Sequence, residues 1–255
     1  MKIPIERVVQ VRNLTLGEGL PKICIPLTDS DLHNLLRSAQ TLQTGPCDLV
    51  EWRADFYGDF RDKSLCLEAL HALREILGDI PLLFTIRTAN EGGQADIPTE
   101  EYEAINLAVI ESGLADLVDV ELSRGADVMT RLCSSAHLTD TTKIVASKHD
   151  FTKTPPETEL VADLCRMQDL GADIVKYAVM PNSERDVLTL LSATITMKEQ
   201  HRDTPVITMS MGRLGVISRV CGSFTGSSVT FGTAGQASAP GQLPADRLKS
   251  FLDYL

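Results

Sequence analysis

The sequence lacks any run of about 18 consecutive apolar residues, the length a helix needs to span a bilayer, so a membrane-spanning protein is not expected. Its start, MKIPIERVVQVRN, alternates apolar and polar residues where a secretory signal would set basic residues ahead of an apolar core, and the expected compartment is the cytoplasm. Basic residues are in deficit. Lys and Arg number 24 against 35 Asp and Glu, a net charge of −11, which argues against nucleic acid or an anionic membrane as the main partner. A small anionic ligand stays open only where arginines cluster locally. Cysteine is sparse and scattered: Cys24, Cys47, Cys66, Cys133, Cys165 and Cys221 form no C-x-x-C pair and have no histidine at metal-ligand spacing, so they read as free thiols. Linkers, repeats and low-complexity tracts are missing too. With 43% apolar and 23% charged residues, the chain is of ordinary globular composition, which excludes disorder and coiled coil, and residues 1–255 read as one domain.

What is present is a regular alternation. Short β-rich runs recur as KICIPL (22–27), DLVEWRAD (48–55), PLLFTIRT (81–88), LVDVEL (117–122), KIVASKHD (143–150), DIVKYAV (173–179), VITMSM (206–211) and SVTFG (228–232). Helical patterns fill the gaps: 29–42, 64–77, 99–112, 125–137, 156–170, 183–200, a short piece at 214–221, and 245–254. Ser183 with Asp186 three places on marks a helix start, and Gly113 and Gly171 mark stops. Strand and helix alternate eight times, which predicts a parallel sheet and, at this length, an α/β (β/α)8 TIM barrel. No G-x-G-x-x-G follows the first strand, which disfavours an open dinucleotide-binding sheet. Residues 1–20 precede that strand, and the spacing of Ile3, Ile5, Val8 and Val11 predicts an N-terminal β-hairpin or arm closing the bottom of the barrel.

Alternate residues of a barrel strand point to the axis. In strand two, Val50, Trp52 and Ala54 must face the helices, which turns Glu51, Arg53 and Asp55 inward. By the same alternation Thr85 and Arg87, Asp119 and Glu121, Ser147 and His149, and Lys176 face inward from the next four strands. Buried charges must be paired or used, and barrel enzymes keep their chemistry at the C-terminal strand ends, so Glu51, Arg53, Arg87, His149 and Lys176 should converge on one pocket. Asp55, Asp119 and Glu121 read as a structural ion-pair layer. Lys176 sits between Ile174, Val175 and Ala178, where desolvation should favour a nucleophilic amine fit for a Schiff base. His149, one strand away, suits proton transfer, while Lys148 alternates outward.

Six blocks strengthen this reading: D-L-V-E-W-R-A-D-F, F-T-I-R-T-x-x-E-G-G, S-K-H-D-F, G-A-D-I-V-K, M-S-M-G-x-x-G-x-x-S-R and A-S-A-P-G-Q, in order from residue 48 to 242. Together they resemble the type I 3-dehydroquinate dehydratases, the Schiff-base enzymes of the shikimate pathway. The resemblance implies a homodimeric barrel that converts 3-dehydroquinate to 3-dehydroshikimate and water with no metal or coenzyme. It implies Lys176 as the imine-forming lysine, His149 as general acid and base, and Glu91 as the carboxylate orienting that histidine. Glu51, Arg53, Arg87, Arg219, Ser238 and Gln242 match the substrate-binding set, and Met211 and Phe231 the apolar wall. One departure stands in strand one, where many members carry serine and this chain has Pro26. The Gly-rich segment 232–242 is expected to serve as a lid. Three rivals remain: a sugar-phosphate aldolase sharing fold and lysine, a metal hydrolase built on His149, Glu51, Asp119 and Glu121, and a noncatalytic binding barrel.

Overall fold

The computed structural model describes residues 8–235 and 238–254. A two-stranded antiparallel hairpin, β1 (Val9–Val11) and β2 (Leu14–Leu16), precedes the barrel. The barrel strands follow as β3 (Lys22–Leu27), β4 (Leu49–Arg53), β5 (Leu82–Thr85), β6 (Leu117–Glu121), β7 (Lys143–Asp150), β8 (Ile174–Val179), β9 (Val206–Ser210) and β10 (Val229–Thr233). Between them run α1 (Leu32–Leu42), α2 (Lys63–Leu77), α3 (Thr99–Ser112), α4 (Ala126–Thr139), α5 (Glu157–Asp169) and α6 (Glu184–Gln200). Two short helices, α7 (Val216–Val220) and α8 (Gly222–Thr225), lie between β9 and β10, and a short β11 (Leu243–Pro244) leads into α9 (Ala245–Tyr254).

All neighbouring strands from β10 through β3 to β9 pair in parallel, the barrel order that the alternation predicts. The seam between β9 and β10 is closed by a single bridge, Val206 with Ser227. There the Ser227 hydroxyl takes over part of the ladder, accepting from the Thr208 N–H at 3.1 Å, so a buried backbone donor is not orphaned. The expectation of a hairpin across the bottom holds for the residues described: Val9, Val11 and Leu16 pack with Cys24, Leu49, Leu83, Leu117, Val145 and Ile174, the lowest inward layer of the barrel. Ile3 and Ile5 lie outside the described residues. The outward strand residues, Val50, Trp52, Phe84 and Val118 among them, form the larger core against the helices.

Helix boundaries follow capping chemistry. Asp31 accepts from the Asn34 N–H, so α1 begins at Leu32, later than the apolar pattern alone suggests. Ser183 and Asp186 form a reciprocal capping box at α6, and Gly113 (φ 65°) ends α3 in the left-handed conformation. Three strands stop earlier than their apolar runs. After β4, β5 and β6 the chain tightens into 3-10 turns at Ala54–Phe56, Ala89–Glu91 and Leu122–Arg124. These turns, not the strands, carry Asp55, Glu91 and Ser123 to the C-terminal end of the barrel.

Candidate active site

A solvent-open cleft, enclosing about 470 Å³ of empty space, lies at that end. Lys176 from the middle of β8 stands on its floor and is only 3% exposed. Its Nζ lies 3.2 Å from Asp119 Oδ2 on β6, 3.7 Å from Glu51 Oε1 on β4, and 4.7 Å from the centre of the Phe231 ring on β10. The amine is therefore buried as the sequence requires, yet it is not isolated among apolar neighbours: two carboxylates stand beside it.

Arg87 follows β5 and binds three carboxylates. Its Nη2 lies 2.8 Å from Asp119, and its Nη1 lies 3.0 Å from Glu121 and 3.5 Å from Glu91. Glu121 also accepts from the Thr88 N–H at 2.8 Å and the Thr88 hydroxyl at 2.7 Å. Arg53 donates two parallel bonds of 2.8 Å to Asp55, and Asp55 further accepts from the Arg87 and Gln94 N–H groups. The expected ion-pair layer of Asp55, Asp119 and Glu121 thus exists, and it absorbs the charge of both Arg53 and Arg87, although both side chains line the cavity.

His149, on β7 beside Lys176, is held by Glu91. Glu91 Oε2 accepts from the His149 backbone N–H at 3.0 Å and from the imidazole Nδ1 at 2.9 Å, while its Oε1 accepts from the Ser123 hydroxyl at 2.5 Å. A carboxylate on Nδ1 selects the tautomer whose Nε2 carries the free lone pair. Burial, together with the charges of Arg87, Lys176 and Arg53, drives the His149 pKa well below 6.5, so the resting imidazole is neutral. Burial also pushes Glu91 up to about 7, against the pull of Arg87. Lys148, by contrast, points outward to Asp163 at 2.6 Å.

The apolar part of the lining comes from Ala178, Met209, Met211, Phe231 and Phe151. The Phe151 ring packs over Gly92, where a Cβ would come within 2.3 Å of it, and Gly92 takes a φ of 81°, the left-handed conformation that favours glycine. Ser238 and Gln242 line the mouth and bond each other: the Ser238 N–H donates to Gln242 Oε1 at 2.8 Å, and Gln242 Nε2 donates to Ser238 Oγ at 3.0 Å. Residues 236 and 237 of the expected lid lie outside the described residues.

Arg219 lies within the short helical piece that the sequence places at 214–221. It sits on α7, is 2% exposed, and is anchored beside the cavity lining, with Nη2 donating to the Pro240 carbonyl at 3.0 Å and Nη1 to that of the lining residue Phe231 at 3.4 Å. Its Nε has no partner, and no carboxylate faces it among the described residues. Burial takes its pKa down to about 10, which still leaves it cationic at neutral pH.

A family model described as Type I 3-dehydroquinase matches residues 23–255. The chain belongs to the type I 3-dehydroquinase family. The 3-dehydroquinate dehydratase of Clostridioides difficile is 46% identical over 250 residues, 98% of either chain, and that of Listeria welshimeri is 49% identical over 248 residues, 97% of either chain. A solved type I 3-dehydroquinate dehydratase from Clostridium difficile, with covalent modified comenic acid, superposes with a TM-score of 0.94 at 46% identity over 97% of each chain.

The site also draws on residues outside the sequence-predicted set. Ser123 supports Glu91, Phe151 and Gly92 form one wall, and Met209 lies beside Met211. Ser123 and Gly92 stand outside regular strands, where no alternation marks direction. Met209 was legible as inward by its phase with Met211 and Ile207.

Proposed function

We propose that this chain dehydrates 3-dehydroquinate to 3-dehydroshikimate, the family's reaction, through an imine on Lys176. The observation that carries the reading is a buried amine on the cavity floor with a neutral imidazole on the adjoining strand. The amine adds to the substrate ketone and water leaves, giving an iminium. The iminium draws electrons from the neighbouring carbon, whose proton passes to His149 Nε2; the same imidazole returns a proton to the departing hydroxyl. Hydrolysis then frees product and lysine. Glu91 fixes the imidazole. Glu51, Arg53 and Arg87 meet the ring hydroxyls, as do Ser238 and Gln242 once their mutual bonds open, and Met211 and Phe231 hold the ring against water. Since the charges of Arg53 and Arg87 are already matched, Arg219 is the cation left for the substrate carboxylate.

The direct test is borohydride reduction with 3-dehydroquinate followed by peptide mass spectrometry. The adduct should sit on Lys176; a label on Lys148 or Lys153, or no label, defeats the reading.

Arg219→Ala should raise KM by roughly 10- to 100-fold with a smaller change in kcat, because a hydrogen bond to a charged partner contributes about 1.5–3 kcal/mol and this one is made equally in ground and transition states. Steady-state kinetics decide: an unchanged KM with a reduced kcat contradicts the role.

The His149–Glu91 pair predicts a pH effect. With Glu91 raised to about 7, the pair takes up one proton as pH falls through that value. A protonated Glu91 donates to Nδ1 and forces the imidazole proton onto Nε2, which removes the base. Thus kcat/KM should fall below about pH 7. In Glu91→Gln only the imidazole remains, whose neutral form persists well below 6.5, so the acid limb should move to lower pH while the maximum drops. A limb unmoved by that substitution counts against the coupling.

The unit is one domain across 1–255, it works in the cytoplasm, and it pairs as a homodimer. No described helix is long and apolar enough to cross a membrane. Ile217, Phe224 and Phe251 are exposed on α7, α8 and α9, and α7 packs against the other two, which provides an apolar face for a second copy.

A further inference from the structure

We infer that Asp119 is the fixed counter-ion of the reacting nitrogen and holds the Lys176 iminium in its protonated form through the catalytic cycle. The inference rests on the covalent reading above and deepens it. Asp119 is fully buried and takes no part in lining the cavity, so it faces Lys176 from behind, walled off from substrate. Its two oxygens have separate tasks. Oδ1 accepts the Ser147 hydroxyl at 2.6 Å and lies 2.8 Å from Arg87 Nη2, whereas Oδ2 accepts, among the described residues, from Lys176 Nζ at 3.2 Å. Neutralising Arg87 would not require Asp119, because Glu121 and Glu91 already stand beside the same guanidinium. A third carboxylate, with one oxygen turned to the amine, is surplus to the ion-pair layer and matched to the nitrogen.

The chemistry explains the surplus. Ammonium and ketone give iminium and water: the C–N bond forms, the C–O bond breaks, and two of the three nitrogen protons leave with the oxygen. One positive charge rests on nitrogen before and after. A carboxylate held rigidly beside it needs no reorganisation as the charge passes from ammonium to iminium, and it opposes loss of the iminium proton, which would end the electron withdrawal the next step needs. Burial alone would favour a neutral Asp119, but Arg87 and Lys176 pull its pKa below the usual carboxylate value, so the anion is present.

The other charged or titratable groups around Nζ are Glu51 at 3.7 Å on β4, Arg87 after β5, His149 on β7 and the thiol of Cys24 on β3. Glu51 lines the cavity, so its substitution would also disturb substrate binding; Asp119 offers the cleaner test.

The experiment measures the fraction of intact chains carrying a borohydride-reduced 3-dehydroquinate adduct across the alkaline pH range. In Asp119→Asn the alkaline limb of that curve should move down by about one to three units, the shift that an opposite charge at this range produces, and kcat should fall with it. An architectural role would lower thermal stability and leave the limb in place. Absence of an adduct in the parent enzyme overturns the covalent reading and this one with it; an adduct in both proteins with the same limb overturns the counter-ion alone. Should Asp119→Asn fail to fold, Ser147→Ala supplies the second arm. It strips a donor from the carboxylate, concentrates its charge toward Nζ, and should move the limb up; no movement, or a downward one, overturns the inference.

Discussion

Lys176→Met should lower kcat/KM by a factor on the order of 10⁵ or more, the scale on which a positioned intramolecular reactant outperforms one in solution. Methionine approximates the length and volume of the lysine stem, so packing against Phe231 and Ala178 is retained while the amine is lost. Asp119 keeps Arg87 and Ser147, and Glu51 keeps the Thr85 hydroxyl at 3.0 Å, so neither carboxylate is left without a partner. Removing one member of a buried ion pair costs about 3–5 kcal/mol where the remaining charge is stranded; here the remaining contacts should hold the loss below that range. The variant should therefore fold, bind substrate through Arg219 and the cavity wall, and give no adduct with borohydride. Turnover within tenfold of the parent, measured on a protein with a cooperative melting curve, would remove Lys176 from the mechanism.

The alternation of strand residues made the floor of this site readable. Trp52 and Val50 had to face the helices, so Glu51 and Arg53 had to face the axis, and the outward placement of Lys148 followed from the inward placement of His149. Alternation does not reveal height along the axis, however. Lys176 pairs in register with Ser147, and Ser147 with Glu121, one layer above Asp119. Only the register and the reach of the lysine chain bring Nζ down to Asp119, which is why Asp119 read as mere scaffolding beside a lysine thought to have apolar company alone. Glu91 was legible only through its motif, because it stands on a 3-10 turn where neither the strand nor the helix period applies. Ser123 had no signal at all: a single serine in a turn gains meaning from a carboxylate 32 residues earlier. The same holds for Arg219, whose partners are backbone carbonyls 12 and 21 residues away, so its isolation from carboxylates could not be read from neighbouring side chains.

His149→Ala should slow dehydration by about 10² to 10⁴, the range for a positioned general acid and base, while still allowing covalent capture. The separation follows from geometry. Imine formation uses Lys176 and its carboxylates, and these contacts do not pass through the imidazole. Proton removal from the carbon beside the iminium has no equivalent substitute: Glu91 sits behind the ring it orients, holding Nδ1 and the His149 backbone N–H, and a guanidinium such as that of Arg53 or Arg87 offers donors and no acceptor. Loss of the ring leaves Glu91 with the backbone N–H and Ser123, so the turn that carries it should persist and the fold should tolerate the change. The adduct should then accumulate, since its formation outpaces its breakdown, and borohydride should label a larger share of the chains during turnover than in the parent. The acid limb below about pH 7 should vanish with the pair that produces it. Near-parental turnover, or a parallel loss of turnover and capture, would move the proton transfer away from His149 and toward another group at the cavity mouth.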